Sequence, residues 1–301
     1  MNSHLFEDFS HALPEVLMLA EEPLSAHTSF HIGGPAEVMT FPKTVQELSA
    51  LLKLSEKWGI KPVILGAGTN VLAPDEGLRG LVICTRDSFD GVWQIGETEL
   101  EADCGATLKK VAMLARDLSL TGLEFAHGIP GTVGGGVYMN AGAYGGELKQ
   151  VVTQTTVLNF DGSIETVTGE AQGFSYRHSA FAERDCLIVR AVFSLQKGNS
   201  DDIRARMQEL SEKRRASQPL ELPSAGSTFK RPVGGYAAAL IEQAGLKGFQ
   251  IGGAAVSEKH AGFVVNKGGA TAQDVRNVID EVKKRVCESS GIILEPEVRI
   301  L

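Results

Sequence analysis

Apolar residues return at helical spacing over several stretches of the chain. From Thr44 to Gly59, Val45, Leu48, Leu51 and Leu52 share one face, Thr44 and Glu47 are placed as a capping box, and Gly59 supplies the stop. Leu108, Val111, Ala112, Ala115 and Leu118 predict a second helix over Thr107–Leu118. Asp201–Arg215 turns Ile203, Met207 and Leu210 inward, and Thr271–Glu288 aligns Val275, Val278, Ile279, Val282 and Val286. A shorter helix is predicted from Tyr236 to Ala244, closed by Gly245, and the mixed pattern of residues 1–22 predicts one amphipathic helix ending near Pro23.

Between these lie short apolar or alternating runs: Lys61–Leu65, Leu81–Cys84, Thr98–Asp103, Leu187–Leu195 and Ile292–Leu301. Val151–Phe160 and Ser163–Val167 flank Asp161-Gly162 as a hairpin. Many short strands with few helices predict an α+β fold and not a doubly wound sheet. The polar break Gly198–Ser200 marks a domain boundary.

Two stretches fall outside both periods because glycine dominates them. Pro62–Asp75, PVILGAGTNVLAPD, runs a buried strand directly into a polar glycine turn. Gly128–Gly146, GIPGTVGGGVYMNAGAYGG, holds more glycine than an ordinary strand or helix tolerates, and Pro130 fixes φ where the bend begins. Glycine lets backbone NH groups converge on one anion, so both stretches read as cradles for a phosphorylated ligand. The first is not a P-loop, because no Lys-Ser or Lys-Thr follows at the required offset. It fails as a dinucleotide fingerprint where Val71 replaces the third glycine. Cys84, Thr85 and Arg86 occupy the later strand end where a ribose-binding acid is expected.

The length of 301 residues suggests two domains with cores of their own, and 43% hydrophobic with 22% charged residues describes an ordinary soluble globular chain. A net charge of -8 argues against nucleic acid or an anionic membrane as partner, so an anionic substrate requires local positive charge. The start MNSHLFEDFSHALPE lacks the basic and apolar regions of a signal peptide, and a cytoplasmic location is expected. Cys84, Cys104, Cys186 and Cys287 are scattered without a CxxC pair, and the histidines lack HExxH spacing. No metal is implied. His127 and His260 read as hydrogen-bonded structural residues.

Seven motifs in order carry a resemblance. They are Thr28-Ser29-Phe30 with Ile32-Gly33-Gly34-Pro35, Leu65-Gly66-Ala67-Gly68-Thr69-Asn70, Ile129-Pro130-Gly131-Thr132-Val133-Gly134-Gly135, and Asn140-Ala141-Gly142-Ala143-Tyr144-Gly145. Tyr176-Arg177-His178-Ser179, Ala225-Gly226-Ser227-Thr228-Phe229-Lys230, and Glu295-Pro296-Glu297-Val298-Arg299 follow. Together they resemble the UDP-N-acetylenolpyruvoylglucosamine reductases, also called UDP-N-acetylmuramate dehydrogenases, nearly end to end and in the shorter subtype. The resemblance implies an FAD-binding domain of the vanillyl-alcohol-oxidase type over residues 1–197, with subdomains of about 1–85 and 86–197. It implies a smaller α+β substrate-binding domain over 198–290 and a C-terminal strand, 291–301, returning to the FAD site.

The family's reaction is a relay in which NADPH reduces FAD and the enolpyruvyl group of UDP-N-acetylglucosamine enolpyruvate then receives the hydride. Hydride addition leaves an enolate that needs a cation and a proton. By resemblance Arg177 holds the carboxylate, since a guanidinium stays charged and forks onto two oxygens. Ser227 is the implied proton donor and Glu297 the implied catalytic glutamate. Strand alternation puts Glu295, Glu297 and Arg299 on one face, so local sequence alone leaves Glu295 as a rival.

The implied FAD contacts are Leu65, Gly66, Ala67, Gly68, Thr69, Asn70, Ile129, Pro130, Gly131, Thr132, Gly134, Gly135, Asn140, Ala141 and Gly142, with Arg299 toward the flavin pyrimidine edge. Tyr176, Lys230 and Arg231 are implied for the nucleotide sugar, the last two for its diphosphate. Gly136 stands where the family pattern expects alanine. No obligate protein partner is readable. Two rival readings are an oxidase of the same FAD-domain superfamily and a nucleotide-sugar binding protein without redox chemistry.

Overall fold

A computed structural model describes residues 4–301. Packing groups the chain into two compact units, each built from separated segments. The first holds the chain up to Glu21, then Glu37–Ala67 and Arg79–Lys213; the second holds Glu22–Ala36, Gly68–Leu78 and Arg214–Leu301. The sequence expectation divided the chain contiguously at residue 197, whereas two short early segments here pack with the C-terminal third. Long-range bonds within the second unit account for this. Ser29 Oγ donates to the Ser224 carbonyl at 2.6 Å, and the Asp75 carboxylate accepts the Ala272 and Gln273 amides at 2.7 and 3.2 Å.

The first unit contains a five-stranded antiparallel sheet in the order Ile164–Thr168, Val152–Asn159, Cys186–Ser194, Glu99–Asp103 and Val92–Gln94. A second sheet orders Leu17–Pro23, Pro35–Phe41, Leu78–Cys84 and Val63–Leu65, the last pair parallel. Helices Val45–Lys57 and Leu108–Asp117 bury Leu48, Leu51 and Leu52, and Leu108, Val111, Ala112 and Ala115, against this core. Thr44 and Thr107 cap them, each accepting an amide of the first turn at 3.1 Å. Glu47 reaches back one residue further than a capping box would, accepting from the Lys43 amide at 2.7 Å.

In the second unit the strands Ser224–Ser227, Phe263–Asn266, Ala254–Val256 and Gln250–Ile251 form an antiparallel sheet. Helix Ala272–Ser290 buries Val275, Val278, Ile279, Val282 and Val286 in the same core. Thr271 and Asp274 close a capping box at its start, and Gly291 ends it at φ 72°.

Three expectations change. Residues 1–22 do not form one helix: His4–Ala12 is helical and Leu17–Pro23 is an edge strand, where proline at the end removes no ladder bond. The glycine-rich stretch contains a helix, Val133–Tyr138, despite its composition. Gly226-Ser227 forms the bulged end of a strand, with Gly226 at φ 75°. Of Ile292–Leu301 only Arg299–Ile300 is a strand, parallel to Val71–Leu72; Pro296 lacks the NH that a continuous ladder needs.

Candidate functional site

In the first unit, strand Val63–Leu65 delivers the chain to Gly66, which stands against the second glycine stretch. A Cβ on Gly66 would lie 2.4 Å from Thr132 Oγ1, so this approach requires glycine. Thr132 is 1% exposed and caps Val133–Tyr138 by accepting the Gly135 amide. The amides of Val133 and Gly134 donate to Ala106 and Cys104 carbonyls, both at 2.8 Å. These bonds let a glycine-rich segment hold a helical turn: tertiary packing replaces the propensity it lacks. Gly136 follows the same logic, since a Cβ there would meet Leu148 Cδ1 at 2.9 Å and Leu108 Cδ1 at 3.1 Å.

Gly135 differs from its neighbours. It is exposed, and a Cβ would meet nothing nearer than Thr132 Oγ1 at 3.6 Å. Protein packing does not require glycine here, whereas close approach of a ligand does. Among the described residues, no acceptor takes the amides of Gly66, Ala67, Gly68, Thr69, Asn70 or Thr132. Unengaged amides in glycine turns suit phosphate oxygens.

Asn140 is fully buried at φ 42°, and its side chain is engaged by protein. Nδ2 donates to Glu147 Oε2 at 2.7 Å and to the Ser175 carbonyl at 2.9 Å, while Oδ1 accepts the Lys149 amide at 2.9 Å. It braces the loop after the glycine helix against the turn carrying Arg177. That turn is closed by reciprocal bonds between Ser175 and His178 at 3.0 and 3.3 Å. Arg177 sits at its tip with φ 55°, unusual for a residue with a side chain. Its Nη2 donates to the Gly142 carbonyl at 3.2 Å, and its guanidinium lies 5.1 Å from the Tyr176 ring centroid. Ser179, fully buried, donates to the Tyr138 carbonyl at 2.8 Å and fixes the turn to the end of the glycine helix.

In the second unit, residues 227–230 run between two other segments. The Thr228 amide donates to Gly262 and its carbonyl accepts the Glu297 amide, both at 2.8 Å. The Lys230 amide donates to the Glu295 carbonyl at 2.8 Å, around a bridge between Phe229 and Pro296. Ser227 is exposed and directly precedes Thr228, whose carbonyl holds Glu297, so the two segments adjoin here through their main chains.

The two rival carboxylates separate here. Glu295 is 71% exposed and its Oε2 lies 3.2 Å from Lys230 Nζ, whereas Glu297 is half-buried. The Arg231 guanidinium stacks 4.0 Å from the Tyr236 ring centroid, and its Nε donates to the Gly235 carbonyl at 3.3 Å. Arg299 is exposed, and its amide donates to the Asn70 carbonyl at 3.0 Å. Sequence reading passed over Thr228, whose buried hydroxyl accepts the Val264 amide at 3.0 Å. Its only local signal was its alternation between Ser227 and Phe229.

Burial pushes the Cys84 thiol up to about 11 and the Cys104 thiol up to about 12, which removes them as nucleophiles. His260 Nδ1 accepts the Gly262 amide at 3.2 Å. His127 departs from its structural expectation: its Nδ1 is buried without a hydrogen bond. Burial first, then the charges of Lys109 and Arg116, hold its pKa below the ordinary histidine value. Among the described residues no metal-binding cluster occurs, and no helix is long and apolar enough to cross a membrane.

Residues 36–168 match the family "FAD binding domain", and residues 218–301 match "UDP-N-acetylenolpyruvoylglucosamine reductase, C-terminal domain". The chain is 44% identical over 304 residues to the UDP-N-acetylenolpyruvoylglucosamine reductase of Lachnoclostridium phytofermentans, covering 100% of this chain and 98% of that one. It is 46% identical over 297 residues to the protein of that name from Caldanaerobacter subterraneus subsp. tengcongensis, covering 99% and 98%. The crystal structure of the Thermus caldophilus UDP-N-acetylenolpyruvylglucosamine reductase superposes with a TM-score of 0.80 at 32% identity, over 95% of this chain and 98% of that one.

Proposed function

The chain belongs to the UDP-N-acetylenolpyruvoylglucosamine reductase family, and from that premise we propose that it reduces the enolpyruvyl group of UDP-N-acetylglucosamine enolpyruvate to give UDP-N-acetylmuramate, with NADPH as electron donor. The observation that carries the residue assignment is the backbone bond joining Glu297 to the Thr228 peptide beside exposed Ser227. FAD supplies the redox chemistry when bound. The amides of Gly66–Thr69 and Thr132 would hold its pyrophosphate, and Gly135 would admit its close approach.

The chain's own side chains then serve the substrate. Arg177 pairs with the enolpyruvyl carboxylate, and Tyr176 supports the guanidinium from its ring face. The Ser227 hydroxyl gives its proton to the enolate carbon, and Glu297 polarises the reacting group from the adjoining segment. Lys230 and Arg231 bind the diphosphate; for Lys230 this exchanges the Glu295 carboxylate for a phosphate oxygen. Arg299 would supply positive charge to bound FAD. We assign cofactor binding to residues 1–197 and substrate binding to 198–290 as functional stretches, distinct from the two packing units, which exchange short segments of the chain. The reaction supplies peptidoglycan precursor synthesis in the cytoplasm.

The test is conversion of the enolpyruvyl nucleotide with NADPH, followed by mass spectrometry. A product heavier by two hydrogens, formed one for one with NADPH oxidised, is expected. NADPH consumed with unchanged nucleotide and oxygen uptake would point instead to an oxidase.

A further inference from the structure

Asn70 ends the first glycine turn, where its sequence context assigns it to the cofactor. Its side chain serves another partner. Nδ2 donates to the main-chain carbonyl of Glu297 at 3.2 Å, and the Asn70 carbonyl accepts the Arg299 amide at 3.0 Å. A carbonyl only accepts, so the amide nitrogen and not Oδ1 must face Glu297. The next residues, Val71 and Leu72, pair in parallel with Arg299 and Ile300 and continue the same seam.

Glu297 is thus held at both ends of its own backbone. Its NH is fixed to Thr228, directly after Ser227, and its carbonyl to Asn70. Pro296 and the single bridge at Phe229 leave this segment without a regular ladder, so these two bonds set where the Glu297 side chain begins. We infer that Asn70 is a positioning residue for Glu297 through its side-chain amide, acting on reduction of the substrate and not as a ligand of the flavin. The inference rests on the reading of Glu297 given above.

Asn70→Asp tests it with nearly constant volume, because it replaces the donor facing the carbonyl with an ionised acceptor. FAD content and reduction by NADPH should match wild type, measured anaerobically by the flavin band. Reoxidation by the enolpyruvyl nucleotide should slow about 100-fold with little change in half-saturating substrate, the scale of a misplaced reacting group. Lowering the pH from 7 to 5 should shrink that deficit, since a protonated carboxyl regains a donor for the Glu297 carbonyl. Asn70→Ser, which keeps a shorter donor, should fall between the two.

Loss of FAD from Asn70→Asp, with an intact second step once FAD is restored, would overturn the inference and make Asn70 a cofactor ligand. So would a loss equal in both half-reactions and independent of pH, which marks a general structural role. If wild type itself is not reoxidised by the nucleotide, the functional reading fails and not the role of Asn70 alone.

Discussion

The glycine stretch of the first unit and the serine–glutamate seam of the second unit build their sites by opposite means. Around Thr132 the side chains retreat: glycine at Gly66 permits close packing, glycine at Gly135 leaves open space, and the groups proposed to bind are main-chain amides. Around Thr228 the main chain is fully engaged, and in the function proposed above side chains carry the chemistry from its ordered edges. Function is therefore sensitive to atoms added in the first region and to atoms removed in the second.

The largest effects should come from the second region. Ser227→Ala and Glu297→Gln should each slow substrate reduction by roughly 10²- to 10⁴-fold, the usual worth of a positioned acid or base, while the flavin spectrum stays normal. Glu295→Gln should stay within about 2-fold of wild type, because an exposed pair with Lys230 contributes little. Single-turnover rates check all three, and a Glu295→Gln loss as large as that of Glu297→Gln would reverse their roles.

Adding a methyl group sharpens the comparison from the other side. Gly66→Ala forces a Cβ against Thr132 Oγ1 and should cost about 1–3 kcal/mol of stability as well as FAD binding. Gly135→Ala meets no clash and replaces a helical glycine, so the apoprotein should be unharmed or gain about 0.5–1 kcal/mol. Its FAD affinity should nevertheless fall. Thermal unfolding of the apoprotein beside a flavin titration separates the two, and an unaltered affinity in Gly135→Ala would mean that the open face is not where FAD approaches.

Smaller effects concern groups outside the chemistry. Thiol labelling of the native protein should modify exposed Cys287 and spare buried Cys84 and Cys104, as peptide mapping would show. His127 and His260 have folded pKa values depressed below the ordinary 6.5, chiefly by burial. The unfolded chain binds more protons in the window just below 6.5, so their contribution is complete above it and is lost as pH falls. Replacing His127 with glutamine should flatten the acid limb of a Tm-against-pH curve.

Legibility followed the range of the forces involved. Thr44, Thr107 and Thr271 mark helix starts locally, and the apolar period behind each carries the rest. The helix Val133–Tyr138 was hidden because the bonds that stabilise it come from Ala106 and Cys104, outside the stretch. Discontinuity of the two units was hidden for the same reason: Ser29 and Asp75 find their partners near residues 224 and 272. The glycine turns read as a cradle because missing side chains are themselves the signal. Alternation placed Glu295 and Glu297 together, and only the Lys230 contact and the Thr228 bond distinguish them.

The most direct measurement is the visible spectrum of the FAD-loaded protein without oxygen, recorded after NADPH and again after UDP-N-acetylglucosamine enolpyruvate. The account predicts bleaching of the flavin band by the first addition and stoichiometric recovery with the second. A band that bleaches and never recovers would contradict the substrate. A protein that takes up no FAD would contradict the reading of Gly66–Thr69 and Ile129–Gly135 as its cradle.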